Sequence, residues 1–228
     1  MKASVVVLMY HRINDALPAG EWVVPVESFQ RQMIFLKKHC DVIGLNELIQ
    51  KDSRLWTIDY ARQRPLVIVT FDDGYRDNYT NAYPVLKELG LPATIFLITG
   101  LIGTDKTRPR YKDMPKPDML NWDEVKEMAQ SGITFGPHTM SHPRLAELSY
   151  AKQKEEIGKS IAVVRGMIED RSPKTEVRQE IFCYPYGKYN KDTLKILKES
   201  GVKLAFTMEP GFNEGQDPLK LKRIGIHG

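Results

Sequence analysis

Short unbroken runs of β-branched and aromatic residues, each separated from the next by an amphipathic stretch, constrain this chain more than any other feature. The runs occupy 5–10, 66–71, 93–98, 133–135, 181–184, 202–207 and 221–226, with a weaker one at 41–45. They do not alternate in polarity, as is expected of parallel strands covered on both faces. The stretches between them carry helix periodicity and helix punctuation. Val26, Phe29, Met33 and Leu36 share one face, and 81–89 ends at Gly90. Asn121 and Asn190 stand where caps are needed, ahead of helices closed by Gly132 and Gly201. Ile157, Ile161, Val164 and Ile168 make a stripe after Ser149. Strand–helix alternation over the whole length predicts an α/β fold, with 1–228 as a single domain. Seven or eight such units suit a distorted (β/α) barrel of parallel strands; an open doubly wound sheet is the alternative.

Composition narrows the function classes. The 228 residues suffice for a full core. With 33 Lys and Arg against 29 Asp and Glu, the net charge of +4 is too small and too dispersed to predict a nucleic-acid partner. No apolar run approaches the ~20 residues of a membrane helix. The two cysteines, Cys40 and Cys183, set neither a disulfide framework nor a paired metal site. The apolar start at Val5 is only six residues long and lacks a small-residue cleavage site, so it reads as a first strand rather than a signal. The expectation is a cytoplasmic protein as the chain stands, or an exported one whose signal has been removed.

Three strand ends carry chemistry. Thr70-Phe71-Asp72-Asp73-Gly74 places two carboxylates where the second run ends, and ligands of parallel α/β folds bind at the carboxyl ends of strands. One carboxylate can hold a metal while the other acts as a base, provided that the chain turns there. His138-Thr139-Met140-Ser141-His142 follows the run at 133–135 and puts two of the five histidines four residues apart. With Asp73 they make two imidazoles and one carboxylate, a catalytic set with a position left for water or substrate. Such donors suit one divalent metal, zinc first, with cobalt or nickel accepted. Phe182-Cys183-Tyr184-Pro185-Tyr186-Gly187 is an aromatic turn that can aim a backbone N–H at an oxyanion.

TFDDG, HTxxH and PYG, in that order at strand ends, resemble the motifs of the polysaccharide deacetylases, carbohydrate esterase family 4. The motifs span residues 70 to 187, and the strand-rich flanks extend the likeness over nearly the whole chain. The resemblance implies a distorted barrel and metal-dependent removal of acetyl groups from an N-acetylated sugar, with carbohydrate as the partner. It assigns Asp72 as general base, Asp73, His138 and His142 as metal ligands, and the Tyr186 N–H as an oxyanion donor. The order of motifs is similar to the circularly permuted subgroup that deacetylates poly-N-acetylglucosamine, in which the acid histidine comes from the first strand. That makes His11 the general acid, with His227 as the alternative, and gives Trp122 the place of the family's late tryptophan. Tyr75, Trp122 and Pro185 are then the substrate-facing residues, although Tyr75 can equally anchor the following helix.

Two departures matter: the family's late acid histidine, whose place His11 or His227 must take, and an arginine. The family places an arginine that steadies the base where this chain has Cys183, which reads as a packing thiol. Arg223, flanked by apolar residues in the last run, is the candidate replacement. The same fold acting on a cyclic imide, a ureide or a formylated amino sugar is the rival enzyme; a carbohydrate-binding protein with a dead site is the rival of another class. Residues 104–120 hold three prolines and five Lys or Arg without periodicity, and read as a solvated insertion or a substrate-facing loop.

Overall fold

The computed structural model of the chain describes residues 5–20, 22–50, 64–108, 117–168, 180–215 and 217–228. In chain order the elements are β1 (Val5–Tyr10), β2 (Arg12–Ile13), β3 (Val23–Val24), α1 (Val26–His39), β4 (Asp41–Val42), α2 (Leu45–Gln50), β5 (Leu66–Phe71) and α3 (Tyr83–Leu89). They continue with β6 (Thr94–Leu97), α4 (Trp122–Gln130), β7 (Thr134–Pro137), α5 (Tyr150–Ile168), β8 (Ile181–Cys183), α6 (Lys191–Glu199), β9 (Leu204–Phe206) and β10 (Ile224–Gly225).

Parallel pairing runs β10-β1-β5-β6-β7, with β4 joining the first half of β5. Strands β8 and β9 form a second parallel pair, and a bridge from Phe206 to Leu221 links β9 toward β10. Seven strands therefore follow one another in chain order around a ring, with no reversal of the kind that defines a doubly wound sheet. The distorted barrel is the fold, but its ladder is not closed among the described residues. No strand pairing joins β7 to β8. There His138 Nδ1 donates to the Cys183 carbonyl at 2.8 Å.

Side chains alternate between the ring's interior and its helical jacket, as a period of two requires. In β5, Leu66 and Ile68 join Val5, Val7, Phe96, Ile181, Cys183 and Phe206 in the interior cluster. Val67, Val69 and Phe71 face outward against Phe29, Met33, Leu36 and Leu86 of α1 and α3. Gly136 of β7 keeps interior space: a Cβ there would come 2.7 Å from the Phe96 ring. The inward phase, carried past the strand ends, contains His11, Asp72, His138 and Cys183. Four reactive side chains are thus delivered to one mouth by strand parity alone.

The helices form for local reasons. Asn121 accepts from the N–H groups of Asp123 and Glu124, and the Glu124 carboxylate returns to the Asn121 N–H. Asn190 and Thr193 make the same reciprocal cap on α6. Gly90 and Gly201 close their helices in the left-handed conformation. In α5, Ile157, Ile161 and Val164 are buried, each worth about 1.5–3 kcal/mol of apolar transfer.

Some boundaries differ from the pattern. The weak run at 41–45 yields the two residues of β4 and then the start of α2. The last run contracts to β10, because the Arg223 N–H leaves the ladder for the Glu209 carbonyl. A wide turn at Asn78–Ala82 precedes α3. The short pair β2 and β3, too brief to leave a periodic signal, aligns the chain just after His11. Residues 109–116 of the irregular stretch lie outside the described residues. Among the described residues no helix is long and apolar enough to cross a membrane.

Candidate active site

Asp72 continues the inward phase of β5 and meets Arg223 inside the ring. Arg223 is fully buried and donates from Nη1 and Nη2 to the two Asp72 oxygens, both at 2.7 Å. Its Nε donates to the Thr207 carbonyl at 2.8 Å, which fixes the fork. Burial pushes the Asp72 carboxyl up, but the charge and hydrogen bonds of Arg223, with lesser help from the histidines, outweigh it and hold the pKa at about 2. Asp72 is therefore an ionised, oriented acceptor at any working pH. Cys183, read as a packing thiol, does more than pack. Its Sγ lies 3.5 and 3.6 Å from the Asp72 oxygens and accepts from Arg223 Nη2 at 3.1 Å. Burial keeps that thiol protonated, so it donates to the carboxylate rather than acting as a nucleophile.

Asp73 would point to the jacket if β5 simply continued. Its φ of 75° turns it back toward the mouth, so two adjacent carboxylates serve one site. Asp73 Oδ1 lies 3.7 Å from His138 Nε2 and 3.3 Å from His142 Nε2. Two ligand atoms on a tetrahedral ion with ~2.1 Å bonds are ~3.4 Å apart. Both Asp73–imidazole spacings are close to that value and all three ligand atoms lie within 4.8 Å of one another, so the set fits a divalent metal. Burial lowers both imidazole pKa values, and neutral imidazole is the form that ligates. His138 Nδ1, donating to the Cys183 carbonyl, leaves its Nε2 lone pair for the ion. A second donor group, Asp72, His138 and Cys183, is also close-set. It is the poorer site, because Arg223 already engages both Asp72 oxygens and the thiol is held protonated.

The HTMSH segment is not helical. Thr139 and His142 have φ of 67° and 59°, and the Thr139 hydroxyl accepts from the His142 N–H at 3.0 Å. Glu156 of α5 grips the bend by accepting from the N–H groups of Met140 and Ser141. Gly100 lets the neighbouring loop approach: a Cβ there would lie 2.4 Å from the Met140 carbonyl oxygen. All four non-glycine residues with positive φ among the described residues are Asp73, Thr139, His142 and Tyr186. Each such backbone costs on the order of 1–3 kcal/mol, and here the cost is concentrated at one mouth.

Tyr186 sits in a tight turn at Pro185–Gly187, with Pro185 buried beneath it. Its ring meets that of His142 at 4.6 Å, and its N–H makes no backbone hydrogen bond among the described residues. His11 is half-buried just past β1. Burial lowers its pKa, while Asp72 and Asp73 are near enough to oppose that shift. Asn78 Nδ2 donates to the His11 carbonyl at 2.8 Å and anchors the turn.

The tryptophan against His11 is Trp22, at 4.3 Å between ring centroids, rather than Trp122. Trp122 opens α4 and packs beside Gly103 and the outer core. His227 also approaches Trp22, with ring centroids 6.3 Å apart. Tyr75 is buried with its hydroxyl donating to Asp73 Oδ2 at 2.9 Å, so it supports a carboxylate, and it shares a narrow pocket with Arg108. His39 stacks on the exposed Phe35. Sequence reasoning missed Arg108, which the irregular stretch at 104–120 sends into the mouth. Arg108 donates to Asp73 Oδ2 at 2.9 Å and to the Tyr186 hydroxyl at 3.1 Å.

Comparison with known proteins follows this geometry. A family model described as polysaccharide deacetylase matches residues 59–205. The Bacillus subtilis (strain 168) protein YxkH, which carries the name of a polysaccharide deacetylase, is 34% identical over 226 residues, covering 98% of this chain and 72% of its own. A poly-beta-1,6-N-acetyl-D-glucosamine N-deacetylase of Staphylococcus aureus (strain MRSA252) is 28% identical, covering 90% of this chain and 72% of its own. Among solved structures, the Streptococcus pyogenes deacetylase PplD in complex with acetate superposes with a TM-score of 0.81 at 27% identity, over 100% of this chain and 94% of that one. IcaB from Ammonifex degensii gives 0.77 at 25%, over 98% and 92%. His11 and Arg223 fall outside the matched stretch, in the flanks that the ring brings back to the mouth.

Proposed function

The chain belongs to the polysaccharide deacetylase family, and on that premise we propose that it is a metal-dependent N-deacetylase that releases acetate from N-acetylglucosamine units of a glycan. The observation that carries the reading is the Asp73, His138 and His142 donor set lying beside a carboxylate, Asp72, that an arginine holds ionised.

A divalent ion held by Asp73, His138 and His142, zinc first with cobalt or nickel as substitutes, would polarise the acetyl carbonyl and bring the pKa of a water from 15.7 toward ~7. Asp72 accepts a proton from the attacking water, and its two-point contact with Arg223 keeps it charged and aimed. The Tyr186 N–H donates to the oxygen on which negative charge develops. His11 gives a proton to the departing sugar nitrogen, which is too basic to leave as an anion. Trp22 packs against the imidazole and restricts its rotation. Each proton-transfer group contributes ~10²–10⁴ in rate. Cys183 in place of an arginine is the sequence ground for a dead site; the grip of Arg223 on Asp72 supports the active reading.

The test is acetate release from a panel of N-acetylated sugars and oligomers, with and without zinc, cobalt or nickel. Metal-stimulated release that disappears in His138→Ala is the expected result. Oligomer binding without release under every metal would make this a binding protein. Turnover of cyclic imides in place of acetamides would move it to the rival amidohydrolases.

A further inference from the structure

The two histidines of the donor set are held by opposite chemistry. His138 Nδ1 faces the Cys183 carbonyl, an acceptor. His142 Nδ1 faces Arg108 Nη2 at 2.8 Å. A guanidinium has five N–H donors and no acceptor, so His142 Nδ1 must present its lone pair to Arg108. In a neutral imidazole the single proton then sits on Nε2, the nitrogen that lies 3.3 Å from Asp73 Oδ1. An Nε2 that carries a proton cannot ligate. A metal on Nε2 and Arg108 on Nδ1 therefore cannot share one neutral His142.

Charge points the same way. Arg108 is 5% exposed and donates to Asp73 Oδ2 as well, so it already neutralises the carboxylate that a cation would use. Tyr75 donates to that same oxygen and would continue to support it if Arg108 withdrew. A withdrawn guanidinium has a landing place, because the Tyr186 hydroxyl already accepts from Nη2 and the Tyr186 ring lies 5.7 Å from Cζ.

We infer that Arg108 is a built-in competitor of the metal: its guanidinium is a counter-cation for Asp73 and a tautomer lock on His142, and metal loading requires it to leave the His142 Nδ1. This rests on reading Asp73, His138 and His142 as the metal site. It assigns a role to the stretch at 104–120, whose basic residues have no periodic placement in the sequence. The role is opposite to that of ordinary outer-sphere partners, whose loss weakens metal binding by ~10–100-fold.

Zinc affinity, measured by chelator competition on protein stripped of metal, tests the sign. Arg108→Met should bind zinc about tenfold more tightly than wild type. Arg108→Lys, which keeps a donor and a charge, should stay near the wild-type value. Nitrogen-15 correlation spectra of the histidine side chains read the lock directly in the unsubstituted protein. Stripped protein should show His142 protonated at Nε2 and His138 at Nδ1; zinc should move only the His142 proton, to Nδ1. Weaker or unchanged affinity in Arg108→Met, or a His142 already protonated at Nδ1 in stripped wild type, would overturn the inference while leaving the metal site standing. Zinc binding that is indifferent to His138→Ala would bring down the metal-site reading itself, and the inference with it.

Discussion

Replacing Arg223 by methionine keeps its length and apolar stem but removes the charge that opposes burial of Asp72. Desolvation is the largest influence on the Asp72 carboxyl and pushes its pKa up; Arg223 reverses that. Without Arg223 the folded-state pKa should rise above the ordinary 3.8. The sign follows. A raised carboxyl pKa favours the folded state at low pH, and that advantage is lost as pH climbs from the unfolded value through the folded one. An uncompensated buried charge costs about 3–5 kcal/mol. For a chain of this length that is roughly a 6–20 °C drop in Tm near neutral pH. The drop should shrink on acidification as Asp72 takes up its proton, and Asp72→Asn in the same background should recover most of it. Calorimetry or fluorescence melts across pH 4 to 8 on the two single variants and the double make a complete cycle. The acidic limb of the kcat profile should move upward with the same group, while bound metal stays stoichiometric. A Tm loss independent of pH, or a double variant no more stable than Arg223→Met, would refute the electrostatic account.

Asp72→Asn should retain metal and lose about 10²–10⁴ in kcat, because it cannot accept the water's proton; elemental analysis beside acetate assays checks both halves. His11→Asn should cost a similar factor on N-acetyl sugars but far less on an aryl acetate, whose phenolate leaves unprotonated, so equal losses on both would take the acid role from His11. Because burial lowers the pKa of His138 and His142, metal affinity should hold from pH 8 to below the ordinary histidine pKa of 6.5, and a titration that falls already at pH 7 would contradict this. Asn121→Ala removes the cap from α4 and should cost about 1 kcal/mol, a Tm shift of roughly 2–4 °C with unchanged kcat.

What the sequence made legible is what periodicity can carry. Apolar runs locate strands, strands have carboxyl ends, and the reactive residues at those ends are Asp72, Asp73, His138 and His142. Arg223 was readable too, as a cation flanked by apolar residues in a strand-like run. The errors have a common cause. Trp22 and Trp122 both adjoin turns, and nothing in their neighbourhoods says which turn folds against His11. Arg108 lies in a proline-rich stretch with no period, and without a period a side chain has no predictable direction. The hydrogen bonds of Tyr75 to Asp73 and of Cys183 to Asp72 have no signature in the sequence, since bonds between strand ends depend on distances across the ring. The left-handed φ of Asp73, Thr139 and His142 also breaks the rule by which sequence assigns a side chain to a face.

The missing ladder between β7 and β8 divides the machinery unequally. Asp73 and both histidines belong to the long sheet that holds β5 and β7, whereas Cys183 and Tyr186 sit across the break on the β8 side. If Asp73, His138 and His142 hold the ion and the Tyr186 N–H meets the oxyanion, the two tasks fall on opposite sides of a seam that the imidazole of His138 fastens and a shared interior of Phe96, Ile181 and Phe206 packs. Small breathing of the break would leave a firmly seated ion while displacing the oxyanion donor by fractions of an ångström. Turnover would then be the first property lost on warming, well before metal or fold.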